Sequence, residues 1–576
     1  MTGSPLTAAA LLAAVVATIA IGSYGVRLSR TTSDFLVASR SIGPQWNAAA
    51  ISGEYLSAAS FLGVAGLIAK YGADALWYPL GFTAGYLGVL LFVAAPLRRS
   101  GAYTVPDFAE FRLGSARLRK VAMLVVVVIC VFYLAPQYQG AGLALKTLLG
   151  VPVWVGPLLV ATIVITNVVA GGMRSITFVQ AFQYWLKLTA VAIPALALLA
   201  LFISDRGELG GPLPPTVQQQ TIVDIETDVV VQVTAPAGIT VTGDLDGRHV
   251  ESAAIAAPGQ HTLGAGTTLT LAAGAATPVV AGTPSTGSEW IASGGGLGGG
   301  HPLYQVLSII VATFLGTMGL PHVLVRFYTN PDGRAARRTA LAVVALLSVF
   351  YFFPILLGVF SRLYVPQLLI TGTADAAVLL APGAAIGGVG GQLLAALVAA
   401  GAIAAFLATS SGLLVSVAGA LATDVLRGRV RDFRIGAVIG GLIPIPLSLL
   451  VSGLELSRSV GLAFAVAAST LCPLLVLGIW WRGLTAVGAA CGLVVGGGVC
   501  GGAVVMAFAG GVDDTVLGGW PAVMVGYPAA VSVPIAFLTM IVVSKFTRPT
   551  PGVAQTFARM HVPERLGLGV ERVPGG

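Results

Sequence analysis

The chain has 576 residues, of which 56% are hydrophobic and only 9% are charged, and its mean hydropathy is +0.91. A water-soluble domain carries about a quarter charged residues, so this composition excludes a soluble enzyme and predicts an integral membrane protein in contact with membrane lipid. The net charge of +8 is not accompanied by a nucleic-acid-binding motif, so no nucleic-acid partner is predicted. The four cysteines lie in apolar segments at spacings that fit neither a zinc site nor a disulfide framework, and no resident metal is expected.

Thirteen stretches are long and apolar enough to cross a membrane, which takes about 20 residues. They are residues 5–26, 45–69, 73–97, 120–147, 152–171, 175–203, 303–329, 337–363, 390–425, 434–452, 459–481, 484–510 and 520–545. The first could be a secretory signal, but no Lys or Arg precedes its apolar part, so it is interpreted as a retained span.

An odd number of spans places the two termini on opposite sides of the membrane, and the basic residues then select the orientation. Most of the 31 lysines and arginines fall on the inner side if the N-terminus lies outside. We therefore predict an extracytoplasmic N-terminus and a cytoplasmic C-terminus in the plasma membrane of a bacterial-type cell.

Residues 204–302, between the sixth and seventh spans, have a different character. Thr and Val alternate in segments such as DVVVQVTAPAGITVTGD, bounded by Gly and Pro, which is typical of short strands. The low aromatic content is equally compatible with disorder. We predict a small extracytoplasmic insert that is either β-rich or disordered.

Polar residues inside apolar spans are costly to bury and are therefore candidates for function. The second span carries Glu54, Tyr55 and Ser57 beside Gly53, in the middle of a hydrophobic stretch. Small and hydroxyl residues at this depth favour an unwound helix, whose free carbonyl groups can bind a cation. The alternative for Glu54 is a structural carboxylate that is hydrogen-bonded to a neighbouring helix.

The seventh span contains Gly316, Thr317, Gly319 and Pro321 within two turns, and Pro321 predicts a second helix break. Two interrupted helices five spans apart are the pattern expected of inverted repeats around a central binding site. His322 follows the break directly and is either a gating or proton-handling group or a structural histidine.

Two basic residues inside the predicted spans are expected to reach the membrane surface with their side chains. Lys187 and Arg326 both lie near the inner ends of their spans, so their side chains are expected to extend to the cytoplasmic interface as anchors. In the ninth span, Thr409, Ser410 and Ser411 form a further polar cluster, whose oxygen atoms are the hard ligands that a small cation prefers.

Several segments resemble the sodium/solute symporter family, and in particular its cation/acetate symporter (monocarboxylate permease) branch. They are GEYLSAASFLGVAG, GGMRSITFVQ, GLPHVLVRFYT, ATDV, VGLAFAVAAS and FARMHVPERLGLGVE. The resemblance covers nearly the whole chain outside the insert. It implies an all-α integral membrane protein of about 13 transmembrane helices, with a LeuT-like core of two inverted five-helix repeats.

The expected organisation follows from the spans and the resemblance together. It comprises an extra helix and cytoplasmic loop (1–44), a first repeat (45–203), the insert (204–302), a second repeat (303–481), two C-terminal helices (482–545) and a cytoplasmic tail (546–576).

The resemblance also implies a cation site between the break in the first core helix and the eighth core helix. By register, its ligands are Gly53, Leu56, Ala405, Ala408, Thr409 and Ser410. This sequence departs from the family at Tyr55, where some members have an acid, at Ala408, which replaces a hydroxyl residue, and at Gln180, where several have Asp. The coupling cation is therefore expected to be either a sodium ion or a proton, with Glu54 as the titrating group for a proton.

These observations predict a secondary symporter that imports a short-chain monocarboxylate, such as acetate, with a cation by alternating access. The residues expected to bind the substrate are Glu54, Tyr55, Ser57, Gly316, Thr317, Gly319, Pro321 and His322. The alternatives are a sensor with a transporter fold and a symporter for another small organic solute. No phosphate-binding loop GxxxxGK[ST] and no set of catalytic residues occurs, so neither an ATP-driven pump nor an enzyme is predicted, and no cofactor is expected.

Overall fold

The computed structural model describes most of the chain. The described residues are 5–26, 38, 42–205, 208–255, 257–295, 297, 300–371, 374–425, 429–451, 453–508, 519–550 and 552–561.

Among the described residues, the N-terminal half of the helical body consists of eight α-helices and three shorter turns of other types. The α-helices are α1 (Pro5–Val26), α2 (Pro44–Tyr55), α3 (Val64–Tyr71), α4 (Trp77–Gly88), α5 (Ala94–Arg99), α6 (Val105–Leu113), α7 (Ala116–Leu149) and α8 (Val155–Ser204). The shorter turns of this half are two π-helical turns, Ala59–Gly63 and Val89–Val93, and one 3-10 turn, Gly72–Leu76. A second 3-10 turn, Pro366–Leu369, lies in the other half.

The second half begins with a short helix at the end of the insert and continues through a second series of long helices. These are α9 (Gly287–Ile291), α10 (Pro302–Gly319), α11 (Pro321–Phe327), α12 (Gly333–Tyr364), α13 (Ala377–Ile386), α14 (Gly388–Asp424), α15 (Val430–Leu442), α16 (Pro444–Leu450), α17 (Leu456–Ala468), α18 (Leu471–Trp480), α19 (Ala486–Phe508), α20 (Trp520–Gly526), α21 (Ala529–Phe546) and α22 (Val553–His561).

Within the described residues, eleven helical stretches are long and apolar enough to cross a membrane. One of them, α8, runs for 50 residues, but Gly172 interrupts it with φ 58° and ψ −159°, a conformation that favours glycine. The uninterrupted helix would be about 75 Å long, more than twice the hydrocarbon thickness of a bilayer. The interruption falls between the predicted spans 152–171 and 175–203. The full count of thirteen membrane crossings remains a prediction.

Local sequence signals explain where individual helices begin and end. Helix α7 starts after Ser115, whose side chain accepts a hydrogen bond from the Leu118 amide, and it ends at Gly150 in the left-handed conformation. Helix α6 is capped in the same way by Thr104, which accepts from the Asp107 amide. These caps satisfy backbone groups that a helix terminus otherwise leaves unpaired.

The helices pack around a centre formed by α2 and α10. Helix α2 lies against α8 and α12, α10 lies against α4 and α17, and α14 lies against α7 and α8. Helix α1 covers α8 and α14 from outside, while α19 and α21 pack on one another at the C-terminal end. The residues of α2 from Asn47 to Tyr55 are all buried.

The insert contains a seven-stranded antiparallel sheet. Its strands are β1 (Thr221–Ile225), β2 (Val229–Val233), β3 (Ile239–Leu245), β4 (Arg248–Ala254), β5 (Gly259–Leu263), β6 (Thr267–Leu271) and β7 (Val279–Val280). The order is β1-β6-β3-β5-β2-β7, and β4 pairs with β3. Alternate side chains such as Val231, Val241 and Leu269 are buried, so the Thr/Val alternation of the sequence corresponds to a sheet with one apolar face.

The segment after the sheet connects the insert to the helical core. Trp290, on α9, is buried, and its indole N–H donates to the carbonyl of Ile68 on α3 at 2.7 Å. The Arg362 guanidinium of α12 donates to the carbonyls of Ala69 and Pro284, both at 3.0 Å. The end of the insert is thus fixed to the C-terminal part of α3.

Candidate functional site

The first helix break lies at the centre of the protein. Helix α2 ends at Tyr55, Leu56 leaves the helical conformation with ψ 88°, and the chain becomes helical again from Ala58. The break frees backbone groups, and neighbouring helices satisfy them with side chains: Gln137 accepts a hydrogen bond from the Ala58 amide at 2.9 Å. An interrupted helix is stable at membrane depth only where such partners exist.

The second break lies between α10 and α11. Leu320 has an extended conformation, with φ −72° and ψ 114°, and Pro321 is the first residue of α11. Proline has no amide hydrogen and favours an extended residue before it, which explains the position of the break. Both breaks predicted from the sequence are present in the structure.

A buried ion pair joins the two broken helices. The Arg326 Nε atom of α11 donates to Glu54 Oε2 of α2 at 2.6 Å, and both side chains are 1% exposed. The other guanidinium nitrogens donate to Thr177 Oγ1, at 2.7 Å, and to the side-chain oxygen of Gln180, both on α8. Gln180 in turn donates to the Ala408 carbonyl of α14 at 2.8 Å, so the network connects four helices.

Lys187 lies at the first break. Its side chain is fully buried, and its ammonium group donates to the carbonyls of Gly53 and Leu56, the latter at 2.7 Å. The sequence-based interpretation that Lys187 and Arg326 extend to the membrane surface is therefore wrong. Both side chains instead point inward, because carbonyl groups freed by the break and the Glu54 carboxylate offer acceptors that lipid does not provide.

The residues predicted to bind the cation are brought together by α2 and α14. Thr409 Oγ1 donates to the Glu54 carbonyl at 2.6 Å, which holds the two helices in register. Ala405 and Ala408 are fully buried on the same helix, as is Ser410, whose hydroxyl has no hydrogen-bond partner in the structure.

The residues predicted to bind the substrate divide into three groups. Tyr55 and Thr317 bind each other through their hydroxyls at 2.8 Å, which links α2 to α10. Gly316 and Gly319 are packing positions: a Cβ atom at either one would lie 2.5 Å from a carbonyl oxygen, of Phe464 and Ala467 respectively.

Ser57 and His322 form the third group, with unused hydrogen-bonding capacity. The Ser57 hydroxyl and both ring nitrogens of His322 are buried without a partner in the structure. Pro321 brings the His322 side chain into the break region, where its ring centroid lies 5.2 Å from that of Tyr133 on α7. The hydroxyl of Tyr86, on α4, is also buried and has no hydrogen-bond partner among the described residues.

Sequence reasoning missed several residues of this region. Tyr86 and Tyr133 belong to an aromatic cluster around the break, in which the Tyr86 and Tyr55 rings lie 4.8 Å apart. Nothing in the sequence distinguishes these tyrosines from interfacial ones. Lys187 and Arg326, by contrast, are charged residues inside predicted spans, which is a signal of function that the sequence itself carries.

A helical bundle of this kind, with two discontinuous helices that cross at a buried polar centre, defines a multi-pass membrane transporter. The comparison with known families then specifies the class. The sequence model of the sodium:solute symporter family matches residues 35–230 and 293–496, and the chain belongs to this family. It is therefore a symporter, which moves a small solute together with a cation, and not an enzyme.

Two curated relatives extend over nearly the whole chain. The uncharacterized symporter YwcA of Bacillus subtilis is 29% identical over 98% of this chain and 99% of its own length. A monocarboxylic acid transporter of Corynebacterium glutamicum is 30% identical over 95% of this chain and 93% of its own length.

Solved structures with a similar fold are transporters as well. A substrate-bound, outward-open Na⁺-coupled sialic acid symporter aligns with a TM-score of 0.63 at 13% identity, over 95% of this chain and 98% of that one. The inward-facing form of Mhp1 aligns with a TM-score of 0.50 at 13% identity, over 91% and 96%. These similarities support the LeuT-like fold expected from the sequence.

Proposed function

We propose that this protein imports a short-chain monocarboxylate, acetate-like in size, together with a cation by alternating access. The relative from Corynebacterium glutamicum that is named a monocarboxylic acid transporter supports the substrate class. The region around the break is closed to solvent in this structure, since Tyr55, Tyr86 and Tyr133 are each at most 1% exposed.

One observation carries the proposal: hydrogen-bonding groups without partners converge on the helix break. Among the described residues they include the Ser57 hydroxyl, the Tyr86 hydroxyl and the two ring nitrogens of His322, and the Glu54 Oε1 acceptor lies unpaired at the same break. Buried polar groups are normally paired, and an unpaired one costs about 1–3 kcal/mol. A carboxylate accepts hydrogen bonds only, so hydroxyl and imidazole donors at one place suit it.

The other predicted residues have supporting roles in this proposal. Glu54 holds Arg326 through one of its two carboxylate oxygens, while Tyr55 and Thr317 join the two broken helices. The close approach at Gly316 and Gly319 lets α10 pack tightly on α17. Such tight contact allows the repeats to move as rigid bodies around the centre.

The cation belongs between α2 and α14, at the positions of Gly53, Leu56, Ala405, Ala408, Thr409 and Ser410. The family name and the Na⁺-coupled structural relative favour sodium, while the departures at Tyr55, Ala408 and Gln180 favour a proton. An inward gradient of either cation would drive uptake of the coupled solute into the cell.

Uptake of labelled acetate by the purified protein in lipid vesicles tests the proposal. A sodium gradient and a pH gradient are imposed separately, and propionate and pyruvate serve as competitors. Tyr86→Phe and His322→Gln are each expected to raise the half-saturating acetate concentration about tenfold, because one hydrogen bond to a charged group contributes about 1.5 kcal/mol or more.

The matched control is Tyr24→Phe, which removes the same hydroxyl from a side chain that is 64% exposed on α1. It should leave uptake unchanged. Wild-type vesicles that take up no monocarboxylate under either gradient would contradict the proposed substrate class.

A further inference from the structure

The carbonyl groups that the family resemblance assigns to the coupling cation already have a cationic partner in this chain. The Lys187 ammonium, on the second half of α8, donates to the Gly53 and Leu56 carbonyls. It is fully buried, and the bond to the Leu56 oxygen is 2.7 Å long. Both carbonyls lie at the break that follows α2, as does the Glu54 carbonyl, which accepts from Thr409.

A lysine ammonium and a sodium ion are both compact cations that bind carbonyl oxygens of this kind. The ammonium is a compact point charge with three donors and no acceptor, and carbonyl oxygens are hard ligands that suit a small metal cation. Two unit charges 4 Å apart at an effective dielectric constant of about 20 repel strongly enough to weaken binding roughly a thousandfold. The two cations therefore exclude each other from this position.

The α14 side of the predicted cation site is also engaged by the protein itself. The Ala408 carbonyl accepts from Gln180, and the Thr409 hydroxyl donates to the Glu54 carbonyl. Gln180 is one of the positions where the sequence departs from the family, and its amide N–H₂ supplies a donor that a carboxylate at this position would lack. Gln180 and Lys187, seven residues apart on one face of α8, thus both donate to backbone carbonyls of this region.

The surrounding charges are consistent with a resident cation. The Glu54 carboxylate of α2 is paired with the Arg326 guanidinium of α11. With Lys187 as an ammonium, these three side chains carry two positive charges and one negative charge, a net +1 beside the unpartnered donors of Ser57 and His322. That excess is opposite in sign to a carboxylate substrate.

We propose that Lys187 is a tethered cation that closes the Gly53–Leu56 position to sodium. The side chain bridges the unwound end of α2 to α8. This inference deepens the proposed function, because it specifies which cation occupies the predicted coupling site, but its test does not depend on the substrate.

The experiment measures saturable binding of ²²Na⁺ to the purified full-length protein in lipid nanodiscs. Lys187→Ala removes the ammonium and is expected to show one more saturable sodium site per chain than the wild type. Lys187→Arg keeps the charge and is expected to show no additional site. Lys146→Ala, which removes a partly exposed lysine paired with Glu226 of the insert, is the remote control and is expected to match the wild type.

An equal number of sodium sites, with equal affinity, in the wild type and in Lys187→Ala would overturn the inference, and so would an additional site in Lys187→Arg. If Lys187→Ala is not monodisperse, Lys187→Ser replaces it with the same expectation. Acetate uptake by the same preparations reports the proposed function separately: failed uptake contradicts the substrate class, whereas the sodium-site count decides the role of Lys187.

Discussion

The buried pair between Glu54 and Arg326 allows a quantitative prediction. Both side chains are 1% exposed, and the Nε to Oε2 distance is 2.6 Å. Removal of one member of a buried ion pair typically costs about 3–5 kcal/mol, because the remaining charge is left uncompensated. In this protein Arg326 keeps its bonds to Thr177 and Gln180, so we expect Glu54→Gln to cost about 3 kcal/mol, at the lower end of that range.

A double-mutant cycle isolates the interaction itself. Arg326→Met is expected to cost about 4 kcal/mol, since Glu54 then loses its closest cation, and the combination of both changes should cost about 2 kcal/mol less than the sum. Unfolding by SDS in mixed micelles, followed by the fluorescence of the eight tryptophans, gives the free energies.

The control cycle uses Arg119 and Glu110, a pair of similar geometry at 2.7 Å in which the side chains are 25% and 35% exposed. Its coupling should stay below about 1 kcal/mol, because water screens a partly exposed pair. Additive costs for Glu54 and Arg326, within about 0.5 kcal/mol, would refute the argument that the two charges hold the broken helices together.

Three further predictions concern a hydrogen bond, a close approach and the insert. Thr409→Ala should lower the free energy of unfolding by about 1–3 kcal/mol and Thr409→Ser should restore it; equal stability of the two variants would contradict the role of the hydroxyl. Gly316→Ala should abolish the monodisperse peak in size-exclusion chromatography, whereas Gly498→Ala, with no atom within 4 Å of the added Cβ, should not. In the insert, the Asp246 carboxylate raises the pKa of His261, while the His261 ring lowers the pKa of Asp246. The pair therefore stabilises β5 most between about pH 4 and pH 6.5. The hydrogen-exchange protection factors of the β5 amides should fall as the pH rises through the raised pKa of His261. The His261→Gln variant should not show this fall.

The physical reason for the last prediction is that both ring nitrogens of His261 face acceptors. Nδ1 lies 2.9 Å from Asp246 Oδ2 and Nε2 lies 3.1 Å from the Ala257 carbonyl oxygen. Only the imidazolium form donates from both nitrogens, so folding favours that form and its contribution is lost when the proton leaves. Asp246 contributes in the opposite direction and loses its effect in acid.

The helical body was predictable because a helix that crosses a bilayer needs a long apolar segment. Helix α1 has the bounds that were predicted for the first span, 5–26, since a membrane-crossing segment must be apolar over its whole length. The break at Leu320 was predictable from Pro321 alone, because proline lacks an amide hydrogen. The break after Tyr55 was indicated by glycine and small hydroxyl residues.

The roles of individual polar residues were less accessible. The sequence predicts Lys187 and Arg326 as surface anchors because both lie near the ends of spans. A long basic side chain at such a position can extend either outward or inward. The choice depends on whether an acceptor lies within reach, and the acceptors of Lys187, the carbonyls of Gly53 and Leu56, are more than 130 residues away in the chain.

The sequence by itself determined that the bilayer is the solvent of this protein and where two of its helices break, since each follows from composition or from the backbone chemistry of a few residues. Only the tertiary structure decided which groups meet at those breaks. A freed carbonyl is satisfied by whichever side chain the packing brings within 3 Å, and here that side chain is a lysine where the resemblance alone implied a bound ion.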